Sequence, residues 1–178
     1  MMVRMRDAHE ILARYAARHR DRRNIASHLV ALPLIVFAFF VLLARPGIDV
    51  GRVELTPATV AFALAAAWWT TRGLPVLGLA TSAAAGLLLA AAHPVAELGT
   101  RVWLAWGVGI LALGWLVRRI GHWYEGRSGD ATDREGLLVG PMFAVAEVLF
   151  CLGWNRPLQA EIERRVGPAH FRDIARIA

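Results

Sequence analysis

The chain has 178 residues, enough for one domain but not comfortably for two. Of these, 57% are apolar and they are bunched into runs, which excludes disorder and argues against an ordinary soluble domain. The formal charge is +6, and all twenty cationic residues are arginines that flank the apolar runs, so the basic balance points to an anionic membrane face and away from nucleic acid.

The segments, in chain order, predict an all-α polytopic membrane bundle of 4–5 hydrophobic helices with interfacial helices at both termini. Residues 1–27 form a polar N-terminal helix and turn, 28–154 the hydrophobic bundle, and 155–178 an amphipathic tail, all within one membrane domain. Five apolar stretches lie at about 29–44, 55–71, 74–92, 102–120 and 137–154, against the roughly 20 residues that a span needs. Thr71-Arg72-Gly73 separates the second and third stretches, which are either two full spans or one hairpin dipping into the bilayer. Pro33, Pro75 and Pro141 sit near the starts of their stretches. The fifth stretch, with Pro141 and Glu147 inside it, is expected not to cross fully. The tail reads as a helix over 157–166, a Gly167-Pro168 break and a short second helix.

Arginine placement sets the orientation. Seven lie in the N-terminal segment, one in the 71–73 hairpin and four around the loop after the fourth stretch, against Arg45, Arg52 and Arg101 on the other side. Twelve against three places the N-terminus in the cytoplasm, with the bacterial inner membrane the expected location.

Six histidines are present, and the crossings sort them. His19 and His28 precede or open the first span, and His122 follows the fourth stretch, so all three return to one face. His93 falls on the opposite face, beside Pro94, and His9 and His170 read as boundary residues in arginine-rich segments. Tyr15 and His19 are four residues apart and share a helix face, as do Asn24 and His28, with Asn24 read as the N-cap of the first span. On one continuous helix His19 and His28 would point apart, because nine residues make about two and a half turns. Arg20-Asp21-Arg22-Arg23 before a capping Asn24 supplies a reason to turn. The prediction is a helix, a corner and then the span, with the two histidines facing each other.

Glu125 lies three residues after His122, on the same face if the helix continues, and Gly121 and Gly126 bracket the pair. A histidine and a carboxylate brought to two other histidines suit a non-haem Fe(II) site with open positions for substrate and O2. Zinc fits the same ligand types. Glu147 is a carboxylate in an apolar stretch, where such a group is costly; it has either an internal partner such as an arginine or a role near the site. The tryptophans stand mostly near stretch ends and read as interface anchors.

The run Tyr15-x3-His19-x4-Asn24-x3-His28-x4-Pro33-Leu34-Ile35 resembles the opening signature of the yeast 2-hydroxy fatty acid dioxygenase (Mpo-like) family, whose eukaryotic members act in phytosphingosine breakdown. Ile120-Gly121-His122-Trp123-Tyr124-Glu125-Gly126-Arg127 is similar to its second motif, and Gly140-Pro141-Met142-Phe143 with Glu147-Val148-Leu149-Phe150 to its closing apolar segment. One departure stands out: family members often carry a proline shortly after the Glu-Gly, where this chain has Ser128-Gly129.

The resemblance implies an Fe(II)-dependent dioxygenase that uses O2 to shorten a 2-hydroxy fatty acid by one carbon, with His19, His28 and His122 as iron ligands. Glu125 is then a fourth ligand or a supporting partner, Asn24 and Tyr15 orient ligands or contact substrate, and Arg118 or Arg119 holds the substrate carboxylate. A di-iron hydroxylase or desaturase needs more histidines than this chain has. The rival readings are a non-enzymatic haem- or metal-binding membrane protein and a zinc-dependent membrane hydrolase. The sequence sets no oligomeric state, and an oligomer is allowed.

Overall fold

A computed structural model describes residues 7–45, 47–51, 53–126 and 136–171. The elements are α1 (Ala8–Arg18), α2 (Arg22–Leu43), a two-stranded antiparallel hairpin of β1 (Ile48–Val50) and β2 (Val53–Leu55), α3 (Pro57–Thr70), α4 (Pro75–Ala96), α5 (Thr100–Glu125), α6 (Gly136–Cys151) and α7 (Arg156–Val166). The protein is a helical membrane bundle. Helices α2, α4 and α5 are long and apolar enough to cross a bilayer, and α6 with α7, bent by 116° at their junction, makes a fourth candidate.

Length separates the spans from the rest. At 1.5 Å per residue, the 22 residues of α2 or α4 reach about 33 Å and match a hydrocarbon core of about 30 Å. The 14 residues of α3 reach only about 21 Å. The α3–α4 hairpin is therefore asymmetric, one full-length arm beside one short arm. Its turn at Gly73 has φ of 88°, where a side chain would be strained. Pro75 sits in the first turn of α4 as expected, but Pro33 lies inside α2, because that helix starts at Arg22, well before the apolar run.

Three glycines build the central contact. Apart from Glu125, the buried residues of α5 are Gly107, Gly114 and Gly121, spaced seven apart on one stripe. A Cβ on Gly107 would run into Leu42, one on Gly114 into Ile35 and the Ala31 carbonyl, and one on Gly121 into Ser27 and Asn24. The helices therefore run antiparallel in fixed register, with backbone approaching side chain along the whole contact. Trp103 fastens the far end, its Nε1 donating to the Val41 carbonyl at 2.7 Å. Trp69 likewise ties α3 to α6, donating to the Leu138 carbonyl at 2.8 Å, and is 3% exposed. These two tryptophans join helices, whereas Trp106, Trp115 and Trp123 are exposed, as membrane-interface residues would be.

The interfacial elements close one end. Ala8, Ile11, Leu12, Tyr15 and Ala16 recur at helical spacing and form the buried face of α1. The Ala8 N–H donates to the Arg72 carbonyl at 2.9 Å, so the start of α1 is pinned to the α3–α4 turn. Helix α7 buries Leu158 and Ile162 and keeps its Glu161–Arg165 and Glu161–Arg164 pairs outside. It folds back toward α1, so the tail stays at the end of the bundle where the chain begins. The break at Gly167 is present, and residues 167–171 are not helical, with His170 bridged to Asp21. The expected second tail helix otherwise falls on 172–178, outside the described residues, as does the Ser128-Gly129 departure.

Candidate metal centre

The corner between α1 and α2 positions the first two histidines. His19 is the C-cap of α1, and α2 starts three residues later. The cap of α2 is Asp21, whose Oδ1 accepts the Arg23 N–H at 2.8 Å. This corrects the expectation for Asn24: it lies inside the first turn of α2, fully buried. Asp21 reaches the helix N–H groups from outside the turn, which leaves Asn24 to face α5. Asp21 is itself fully buried and pairs with Arg23 at 3.1 Å.

Glu125 holds the corner shut. Its carboxylate accepts the Arg20 N–H at 3.2 Å, the Asp21 N–H at 3.0 Å and Asn24 Nδ2 at 3.1 Å. Those N–H groups lie at the start of α2, which a carboxylate satisfies well. Helix α5 continues through Glu125 and stops at Gly126 in the left-handed conformation, so His122 and Glu125 share a face as predicted. A second brace comes from the tail: His170 donates its N–H to the Arg20 carbonyl and accepts from the Arg22 N–H, each at 2.9 Å.

His19, His28 and His122 meet at this corner. Their ring centroids lie 4.5 Å (19–28), 5.7 Å (19–122) and 5.1 Å (28–122) apart. One ligand nitrogen from each lies within 4.8 Å of the others, so the three can hold a metal ion. His19 and His28 are buried and His122 is half-buried.

The hydrogen bonds prepare two of these rings as ligands. His19 Nδ1 lies 2.9 Å from the Tyr15 carbonyl, and His28 Nδ1 lies 2.9 Å from the Asn24 carbonyl. A carbonyl only accepts, so each Nδ1 carries its proton and each Nε2 keeps the lone pair that a metal needs. His28 Nε2 is buried with no hydrogen-bond partner among the described residues. An unsatisfied buried acceptor costs about 1–3 kcal/mol, which a metal at this point would offset. The donor set and the orphaned nitrogen both fit a cation.

The remaining predicted residues fall into place unequally. Tyr15 stacks on His19 with centroids 4.1 Å apart, and it also contacts Phe143 of α6 at 4.9 Å. Arg118 stands one turn before His122, its Nε donating to His122 Nε2 at 3.4 Å. Arg119 is exposed, a step around the helix. His93 is remote, on the exposed end of α4 beside Glu97.

Sequence reasoning missed Asp21 as the cap, the glycine stripe, and a cavity of about 210 Å³ that backs onto His19. The cavity lies between the corner, α6 and α7, and Glu147 lines it together with Arg20. The seven-residue spacing of the glycines was the available signal for the stripe.

Residues 5–152 match the family described as 2-hydroxy-palmitic acid dioxygenase Mpo1-like. The chain belongs to this family. The match spans the histidine corner, α2, α4, α5 and α6, and it stops before α7. No curated protein and no solved structure matches the chain.

Proposed function

We propose that this protein is an Fe(II)-dependent membrane dioxygenase that converts 2-hydroxy fatty acids to acids one carbon shorter. The observation that carries the reading is the buried convergence of His19, His28 and His122 in a member of a dioxygenase family. Three imidazoles are a ligand set that both iron and zinc accept, and membership of a dioxygenase family favours Fe(II). Their close approach favours a single small ion over haem, because a porphyrin plane needs a wider gap between its axial rings.

The stoichiometry is set by the substrate and product. The C1–C2 bond breaks, C1 leaves as carbon dioxide, and C2 becomes the new carboxyl carbon. The four electrons released reduce one O2, whose atoms end in the products, including one water. Iron, when bound, supplies the one-electron chemistry that lets O2 react with a closed-shell acid.

The chain's own residues would do the rest. The Tyr15 and Asn24 carbonyls fix the tautomer of two ligands. Glu125 acts through the corner, holding the backbone that carries His19, and is a positioning residue in this reading. Tyr15 keeps the His19 ring in its plane and shields it from water. Arg118, at the half-buried His122 edge, would receive the substrate carboxylate, while exposed Arg119 would face lipid headgroups. The arginine distribution supports a cytoplasmic-face site in an inner membrane, where the acid's head stays near water and its tail among the lipids.

Purified protein loaded with Fe(II) and supplied with O2 and 2-hydroxyhexadecanoic acid should yield pentadecanoic acid and carbon dioxide. Stoichiometric iron with no shortened acid would refute the reaction.

A further inference from the structure

The cavity behind His19 has a composition of its own. Arg20, Glu147 and Gln159 give it polar wall, and Phe143, Phe150 and Ile162 give it apolar wall. Its volume is about that of seven water molecules, enough for a carboxyl head and a few methylenes but not for a long acyl chain. His28 and His122 do not line it; His19 is the wall it shares with the metal centre.

Two charged groups in this cavity have no ion-pair partner among the described residues. Arg20 is half-buried, its Nε is buried without a hydrogen bond, and its side chain makes no ion pair among the described residues. Glu147 is half-buried and makes no hydrogen bond or ion pair among them either. Glu163 also lines the cavity, but it is exposed and already accepts from Gln159 at 3.0 Å. Opposite charges that line one chamber without meeting call for a ligand that satisfies both.

We propose that this cavity is a second headgroup site, a loading subsite in which Arg20 binds the carboxylate of a 2-hydroxy acid and Glu147 accepts its 2-hydroxyl proton as a hydrogen bond. The inference rests on the reading of the substrate as a 2-hydroxy fatty acid. The pairing matches group for group: the guanidinium takes the carboxylate, the Glu147 carboxylate takes the only other donor, and the apolar wall takes the first methylenes. The shortened product keeps a carboxylate and loses the hydroxyl, so Glu147 would favour substrate over product. Helix α7, which supplies Gln159 and Ile162, lies beyond the family match, so part of this wall belongs to this chain's own C-terminal segment.

The test is equilibrium binding to the full-length, chelator-treated protein in detergent, with 2-hydroxyhexadecanoic acid and hexadecanoic acid as the two probes. The native protein should prefer the hydroxy acid by about tenfold or more. Arg20→Gln should weaken both acids alike, by roughly tenfold to a hundredfold. Glu147→Gln should leave hexadecanoic acid binding unchanged and reduce the preference for the hydroxy acid severalfold, with Glu147→Leu abolishing it. His28→Ala should retain both affinities. Unfolding profiles matching the native protein establish that the variants are folded. An unchanged preference in both Glu147 variants, undiminished binding in Arg20→Gln, or loss of binding in His28→Ala would each overturn the proposal. If binding follows the expected pattern but iron-loaded protein releases no shortened acid, the oxygenase reading fails and the headgroup site stands.

Discussion

Asn24 and Glu125 lie 101 residues apart in the chain and meet through a buried 3.1 Å hydrogen bond beside the three-histidine cluster. The same Asn24 carbonyl orients His28, and the same Glu125 carboxylate holds the backbone next to His19. This one contact therefore couples the two halves of the site.

Replacing Glu125 by Ala should destabilise the corner by about 1–3 kcal/mol, because buried N–H groups lose their acceptor. Iron per chain should fall with the thermal midpoint. Glu125→Gln keeps an acceptor and should lie between. Full iron occupancy in Glu125→Ala would remove its positioning role.

Metal analysis across the histidines should divide them. His19→Ala, His28→Ala and His122→Ala should each lose most bound iron, while His9→Ala and His93→Ala should match the native protein. Iron at full occupancy in His28→Ala would show that the ligand set is wrong.

A methyl group on Gly121 has nowhere to go: it meets Ser27 and the Asn24 side chain. Gly121→Ala should push α5 off α2 and reduce metal affinity by roughly 10- to 100-fold, the scale seen when supporting contacts of a metal site are lost. Gly109→Ala, which meets nothing, is the control. Equal metal affinity in the two variants would mean that the register of α2 on α5 does not govern the site.

Asp21 caps α2 from a fully buried position. Asp21→Ala should cost about 0.5–2 kcal/mol in a melting experiment, and Asp21→Asn, which still caps, should cost less. Identical melts for the two would contradict the capping role.

Tyr15 supports His19 with its ring as well as its carbonyl. Tyr15→Ala should lower iron content, whereas Tyr15→Phe, which keeps the stacked ring, should retain most of it. If the phenol touches substrate, turnover will fall in Tyr15→Phe while iron stays. Loss of iron in Tyr15→Phe would instead make the hydroxyl part of the metal's support.

The apolar runs made the spans legible, because a bilayer demands a fixed length of hydrophobic chain whatever its neighbours. The corner was legible too, since nine residues cannot bring His19 to His28 along one helix. The choice of cap was not. Asp21 and Asn24 are both good caps, and only the pull of Glu125 from a distant helix decides that Asn24 turns inward. Helix α3 was read slightly long, and β1–β2 did not register, because three-residue strands leave little pattern. The glycines of α5 carry no side chain to give a hydropathy signal, so the tightest helix contact was the quietest in the sequence. That Arg20 and Glu147 line one cavity depends on α7 folding back, which charge counting could not foresee.

The antiparallel seating of α5 on α2 also has a consequence for biogenesis. His19 and His28 emerge from the ribosome with α1 and the start of α2, but the cluster is incomplete until His122 arrives on α5 and the three glycines lock against α2. The three-histidine cluster thus cannot be complete before α5 is in place, and a chain that stalls in the translocon or misplaces α5 has no finished site for an ion. An ion held by all three histidines would therefore report that α2 and α5 have come together.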